Sequence, residues 1–167
     1  MSKKATDEQA FVKLVTASQG IIHKVCRMYC DDEEHRKDLF QEILIQLWQS
    51  FPSFRGDAQF SSWMYRVALN VAIQDFRKVK KRRLLFFQTN EFKEKAEQKY
   101  STVEDERMKQ MYKAIAQLNK VEKAIVMLHL EGKANEEIAE IVGITQNYVR
   151  VKMNRIKKKM AEQVNSQ

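Results

Sequence analysis

Four glycines and one proline in 167 residues leave this chain almost nothing with which to make tight turns. An all-β sandwich or barrel needs a turn signal roughly every 8–12 residues, so that class is excluded. Gly20, Gly56, Gly132 and Gly143 stand alone, and neither GxGxxG nor GxxxxGK[ST] occurs, which removes the glycine-rich phosphate loops as well. Hydrophobic residues make up 44% of the chain, enough for a packed core despite 31% charged residues. The reading is therefore all-α, with length for one domain or two small ones.

Helical periodicity runs through most of the chain. Thr6 with Gln9 reads as a capping box opening a first helix, whose apolar stripe is Phe11, Leu14, Val15, Ile22, Val25 and Tyr29. Acidic residues Asp31 to Glu34 cap a second helix carrying Leu39, Phe40, Ile43, Leu44, Leu47, Trp48 and Phe51 on its apolar side. Pro52 stops it. A short loop leads to a third helix from about Phe60 to Lys80. Beyond Arg83 the stripe is lost, and residues 84–104 read as a flexible linker. Helix resumes after Thr102 with Met108, Met111, Ile115 and Leu118, and Asn119 with Glu122 suggests a further cap. Two small helical domains are expected, residues 1–83 and 105–167, with no internal repeat.

With 30 Lys+Arg against 22 Asp+Glu, the net charge of +8 points to a polyanionic partner. Residues 1–9 are polar, and no apolar run approaches the ~18 residues of a membrane span. A cytoplasmic chain without membrane insertion is expected. Cys26 and Cys30, with His23 at helical spacing before them, could line one helix flank and hold a metal. The spacing is not that of a zinc ribbon and no fourth ligand is evident, so plain helix-edge residues and no cofactor are expected.

Residues 135–156, NEEIAEIVGITQNYVRVKMNRI, carry the sharpest local pattern. Ile138 and Ile141 point inward from one short helix, and Ala139 is small where a second helix must cross. Gly143 follows where the turn needs positive φ. Thr145 can cap the next helix, which buries Val149, Met153 and Ile156. That is helix-turn-helix spacing. The second helix brings Arg150, Lys152, Arg155, Lys157, Lys158 and Lys159 within ten residues and no acid. Arginine can bridge guanine O6 and N7, while lysines mostly anchor phosphate.

The third helix is apolar on both sides, with Phe60, Trp63, Met64, Val67 and Val71 on one and Tyr65, Leu69, Ile73 and Phe76 on the other. A central packed helix accounts for most of these positions. Its frame needs another explanation. Phe54, Arg55, Gly56 and Asp57 precede the helix, and Arg77, Lys78, Lys80, Lys81, Arg82 and Arg83 follow it. Aromatic residues such as Trp63 beside dense cations suit a surface that holds phosphate and stacks unpaired bases. The second helix differs again. Its polar side is Asp38, Gln41, Glu42, Gln46 and Gln49 around an exposed Ile45, without a lysine or arginine from Asp38 to Ser53. Such a face fits a basic protein partner.

The stretch DLFQEILIQLWQSFPSFRGDAQFSSWMYRVALNVAIQDFRK resembles region 2 of bacterial sigma factors of the extracytoplasmic-function (ECF) type, and LNKVEKAIVMLHLEGKANEEIAEIVGITQNYVRVKMNRIKKKM resembles their region 4. The resemblance implies a non-enzymatic subunit that brings core RNA polymerase to promoter DNA. By the same resemblance Asp38, Gln41 and Glu42, with the Ile45 face, would meet the polymerase clamp helices. Phe54 and the loop through Arg55 to Asp57, with Asn70, would surround a base flipped from the minus-10 element, at a cost of a few kcal/mol of stacking. The cations from Arg77 to Arg83 would hold the promoter backbone. Arg150, Val151, Lys152, Asn154 and Arg155 match the minus-35 recognition helix. Val151 stands where many relatives have a small hydroxyl residue; it can touch a thymine methyl but cannot hydrogen-bond a base edge. Members of the family are commonly held inactive by an anti-sigma factor.

Two other classes compete. A stand-alone helix-turn-helix regulator would act without polymerase on a palindromic site. A small metalloenzyme would use His23, Cys26 and Cys30, but the other histidines, His35 and His129, lie in unrelated segments and no catalytic constellation is present.

Overall fold

The computed structural model describes the backbone of residues 3–86 and 103–165, with side chains for residues 4–74, 106–163 and 165. All regular structure among the described residues is helical: α1 (Lys3–Tyr29), α2 (Glu33–Ser50), a 3-10 turn (Phe51–Ser53), α3 (Phe60–Phe86), α4 (Val103–Ala116), α5 (Lys120–Leu130), α6 (Asn135–Val142) and α7 (Gln146–Asn165). The chain divides into two compact units, Met1–Lys78 and Val79–Gln167.

In the first unit, α1 begins at Lys3, ahead of the cap expected at Thr6. Lys3, Lys4 and Ala5 are good helix formers, so nothing stops the helix from running through that position. Phe11, Val15, Ile22, Val25 and Tyr29 are buried as the stripe requires, while Leu14 is half-buried. Cys26 and Cys30 are buried too, which corrects their reading as helix-edge residues: a free thiol packs as a small hydrophobe. Burial pushes the Tyr29 hydroxyl well above the usual phenol range.

Arg36 fastens the α1–α2 turn. Its Nε donates to the Cys30 carbonyl at 2.8 Å and its Nη2 to the Asp31 carbonyl at 3.1 Å, placing a cation on the C-terminal end of α1. Asp32 takes the N-cap position of α2 in extended conformation without a side-chain cap bond. Its carboxylate lies 2.9 Å from His35 Nδ1 instead. The acidic start of α2 therefore acts through Glu33 and Glu34 in the first turn, where negative charge complements the helix dipole.

Leu39, Ile43 and Leu47 form the buried seam of α2. Pro52 ends the helix by entering the 3-10 turn, and Ser53 Oγ donates to the Ser50 carbonyl at 2.6 Å. On α3, Met64, Tyr65, Ala68, Leu69 and Ala72 are buried, whereas Phe60, Trp63, Val67 and Val71 of the first expected side and Ile73 of the second are half-buried. The helix continues past the expected end at Lys80 to Phe86, because residues 81–86 contain no breaker. Of the expected linker, residues 84–86 belong to α3 and 103–104 to α4; residues 87–102 lie outside the described residues.

In the second unit, Asn119 caps α5. Its Oδ1 accepts from Glu122 N–H at 2.9 Å, and Glu122 Oε2 accepts from Asn119 N–H at 3.1 Å, a reciprocal capping box. Residues Ala124 to Leu128 are buried in succession, so α5 is packed on more than one side. Ala114, Ile115 and Leu118 of α4 are buried, but Met108, expected on the same stripe, is exposed. Helices α5, α6 and α7 pack on one another, and α4 packs on α7.

Candidate nucleic-acid interface

The α6–α7 corner is built as a rigid presenter. Gly143 adopts φ 79°, a left-handed conformation that side chains resist. The Ala139 carbonyl accepts from Gly143 N–H at 2.9 Å and from Ile144 N–H at 3.1 Å, closing α6. Thr145 Oγ1 then accepts from Tyr148 N–H at 3.1 Å and opens α7. Ile138, Ile141, Val149, Met153 and Ile156 are buried beneath the corner, as the motif requires.

The outer side of α7 carries Arg150, Val151, Asn154 and Arg155, all exposed, followed by Lys157, Lys158 and Lys159. Arg150 Nη2 donates to Asn147 Oδ1 at 2.8 Å, so its guanidinium is already steered by the first turn of the helix. Lys152 differs from its neighbours. The sequence placed it among the outward cations, but it is half-buried, with Nζ 3.5 Å from Glu122 Oε1 on α5 and 5.6 Å from the centre of the Tyr148 ring. Tyr148 itself, exposed in the first turn of α7, is a surface residue that the sequence reading passed over. Its position out of phase with Val149 was the available signal.

The first unit presents an aromatic surface. Phe54 lies 5.2 Å from Trp63 and 5.5 Å from Phe60 between ring centres, and Phe51 lies 5.3 Å from Phe11. Phe11 in turn meets Trp48 edge-on at 5.0 Å. Phe54 and Trp63 are each half-buried, so they offer ring edges from a supported cluster rather than standing free. Arg55 and Asp57 are exposed on the neighbouring loop. Asn70 is exposed on α3, one turn beyond exposed Arg66 and two beyond Trp63, so all three follow one edge of the helix. The backbone of α3 continues through Arg77, Lys78, Lys80, Lys81, Arg82 and Arg83, whose side chains lie outside the described residues. Half-buried rings beside a polar helix edge are a platform on which unpaired bases can stack.

On α2, Asp38, Gln41, Glu42 and Ile45 are exposed along one stripe, with Ile45 at 55%. Trp48, expected on the buried side, is 38% exposed and extends the apolar centre of this face. Beside this face, and sharing Gln41 with it, His23 and Cys26 line a cleft with Arg27, Arg36 and Lys37. The His23 ring lies 4.8 Å from Phe40. Among the described residues, no three His, Cys, Asp or Glu side chains gather to hold a metal ion.

Comparison with known proteins bears on both units. Residues 14–83 match the Sigma-70 region 2 family model, and residues 108–160 match that of Sigma-70, region 4. The chain is 28% identical over 165 residues to the RNA polymerase sigma factor SigV of Bacillus subtilis, an alignment covering 98% of this chain and 96% of that one. It is 31% identical over 77 residues to the ECF RNA polymerase sigma factor SigW of the same organism, covering 46% of this chain and 41% of SigW. Two solved structures share the fold. The sigma factor RpoE in complex with the anti-sigma factor NepR, from Bartonella quintana, gives a TM-score of 0.66 at 16% identity over 95% of this chain and 96% of that one. CnrH in complex with the cytosolic domain of CnrY gives 0.67 at 17% identity, over 95% and 90%. With both regions matched in order and one relative aligned along nearly its whole length, the chain belongs to the ECF family of RNA polymerase sigma factors, initiation factors that direct promoter-specific transcription.

Proposed function

We propose that the two helical units divide promoter recognition between strand and duplex. In this reading residues 1–83 bind core RNA polymerase and the melted minus-10 element, residues 84–104 connect, and residues 105–167 read the minus-35 duplex. Asp38, Gln41, Glu42 and Ile45 form the polymerase-docking face, an acidic and amide surface around an apolar anchor that suits a basic partner. Phe54, Arg55, Asp57, Trp63 and Asn70 take unpaired bases, and the cations from Arg77 to Arg83 follow the phosphate backbone. Thr145 opens the recognition helix, on which Arg150, Val151, Asn154 and Arg155 face base edges and Lys152 serves as a reserve cation.

The observation that carries this division is the α6–α7 corner. A buried seam fixes α7 while an edge of Arg150, Asn154 and Arg155, with Val151 among them, stays open, the geometry of a helix that enters a major groove. The protein acts in the cytoplasm with the polymerase, needs no cofactor and catalyses no reaction of its own. Among the described residues, no helix is long and apolar enough to cross a membrane. The two solved relatives were each captured with a second protein, an anti-sigma factor in the RpoE complex. An anti-sigma partner is proposed here too.

Run-off transcription with core polymerase on a promoter library tests the proposal. Specific start sites should depend on this chain. Identical start sites without it, or failure to join the polymerase, would refute it.

A further inference from the structure

Lys152 is the anomalous member of the recognition helix. Every other cation from Arg150 to Lys159 is exposed, whereas the Lys152 side chain is 20% exposed and meets a carboxylate that is 16% exposed. That carboxylate belongs to Glu122, on a different helix, and it has two occupied oxygens. Oε2 accepts from Asn119 N–H at 3.1 Å in the capping box, and Oε1 faces Lys152 Nζ at 3.5 Å. The cap thus fixes one oxygen to the backbone and aims the other at the recognition helix. Below the ammonium lies the Tyr148 ring, its centre 5.6 Å away, whose electron-rich face adds a second attraction.

We infer that Glu122 is a specificity-determining positioning residue, which holds Lys152 off the phosphate backbone so that unspecific duplex does not gain this cation. The inference rests on the proposal that α7 enters the major groove. Its physical basis is competition. Pulling Lys152 onto a phosphate leaves Oε1 of a half-buried carboxylate without its cation, a penalty that well-fitted docking can offset and loose backbone contact cannot. Specificity is the difference between two affinities, so weakening the unspecific one raises it without any added base contact.

The test uses the full chain, a duplex selected by the wild-type protein from a random pool, and a scrambled duplex of equal length. Glu122→Gln retains the cap, since glutamine also serves at that capping-box position, but removes the charge that holds Lys152. On the scrambled duplex the variant should bind about five- to tenfold tighter at 0.1 M salt, with a log–log salt slope steeper by about 0.9, the signature of one more neutralised phosphate. The preference for the selected duplex should fall. In a Lys152→Met background the same change should give no gain. An unchanged slope in Glu122→Gln, while the wild type binds normally, overturns the inference and leaves the α7 reading standing. So does a gain that persists with Met at 152, because it would report only general loss of negative charge. A wild-type chain that binds duplex without salt dependence would refute both.

Discussion

The surface proposed to take the separated strand and the one proposed to read the duplex are built on opposite principles. On α7 the groups proposed to read the duplex are exposed and, Val151 apart, polar, and a buried seam of Val149, Met153 and Ile156 only holds the helix in place. In the first unit the groups proposed to contact DNA are part of the packing. Phe54 and Trp63 touch one another and join a chain of rings reaching Phe11 and Trp48 on α1 and α2. A duplex offers a regular groove and needs only a pre-set edge; an extruded base needs an apolar slot, which has to be supported from behind. The α7 surface can therefore be altered with little damage to its fold, whereas the aromatic one cannot.

The largest expected effect lies outside both DNA surfaces and tests whether polymerase docking is separate from them. Ile45→Asp should lower core polymerase affinity by about 2 kcal/mol or more, read by co-purification, with an unchanged helical spectrum because the side chain is exposed. Undiminished co-purification removes the docking face. Trp63→Ala should weaken binding of a single-stranded oligonucleotide by about 1–3 kcal/mol while sparing duplex affinity. It should also lower the melting temperature, since the ring supports Phe54 and Phe60; loss of duplex binding to the same degree would erase the contrast between the surfaces. Arg150→Ala should cost about 1–3 kcal/mol on the preferred duplex with little change in melting temperature. An equal loss on every sequence would make Arg150 a phosphate contact. The smallest effect is Asn119→Ala, which removes one half of the capping box and should cost about 1 kcal/mol of stability, measured by denaturant unfolding.

How much could be read in advance follows from how local each feature is. The helix-turn-helix was legible residue by residue, because Gly143 in its left-handed turn, the Thr145 cap and the buried triplet all act within a few positions of one another. The Asn119–Glu122 box was legible for the same reason. The third helix was expected to end at about Lys80, with the apolar stripe lost beyond Arg83, but lysine, arginine and leucine are good helix formers and the backbone continues to Phe86. Cys26 and Cys30 were expected at the helix edge, but they lie beside Val25 and Tyr29 and are buried with them.

Periodicity and the near absence of breakers were enough to establish an all-helical chain with a helix-turn-helix corner, since each acts within one or two helical turns, and the net positive charge pointed to a polyanionic partner. Pairing across helices was settled only in three dimensions. Nothing in the order of residues says that Glu122 would reach Lys152, thirty positions later, or that Phe54 would lean on Trp63 instead of facing water. Those contacts depend on how far one helix rotates against another, which is decided by the whole buried seam between them.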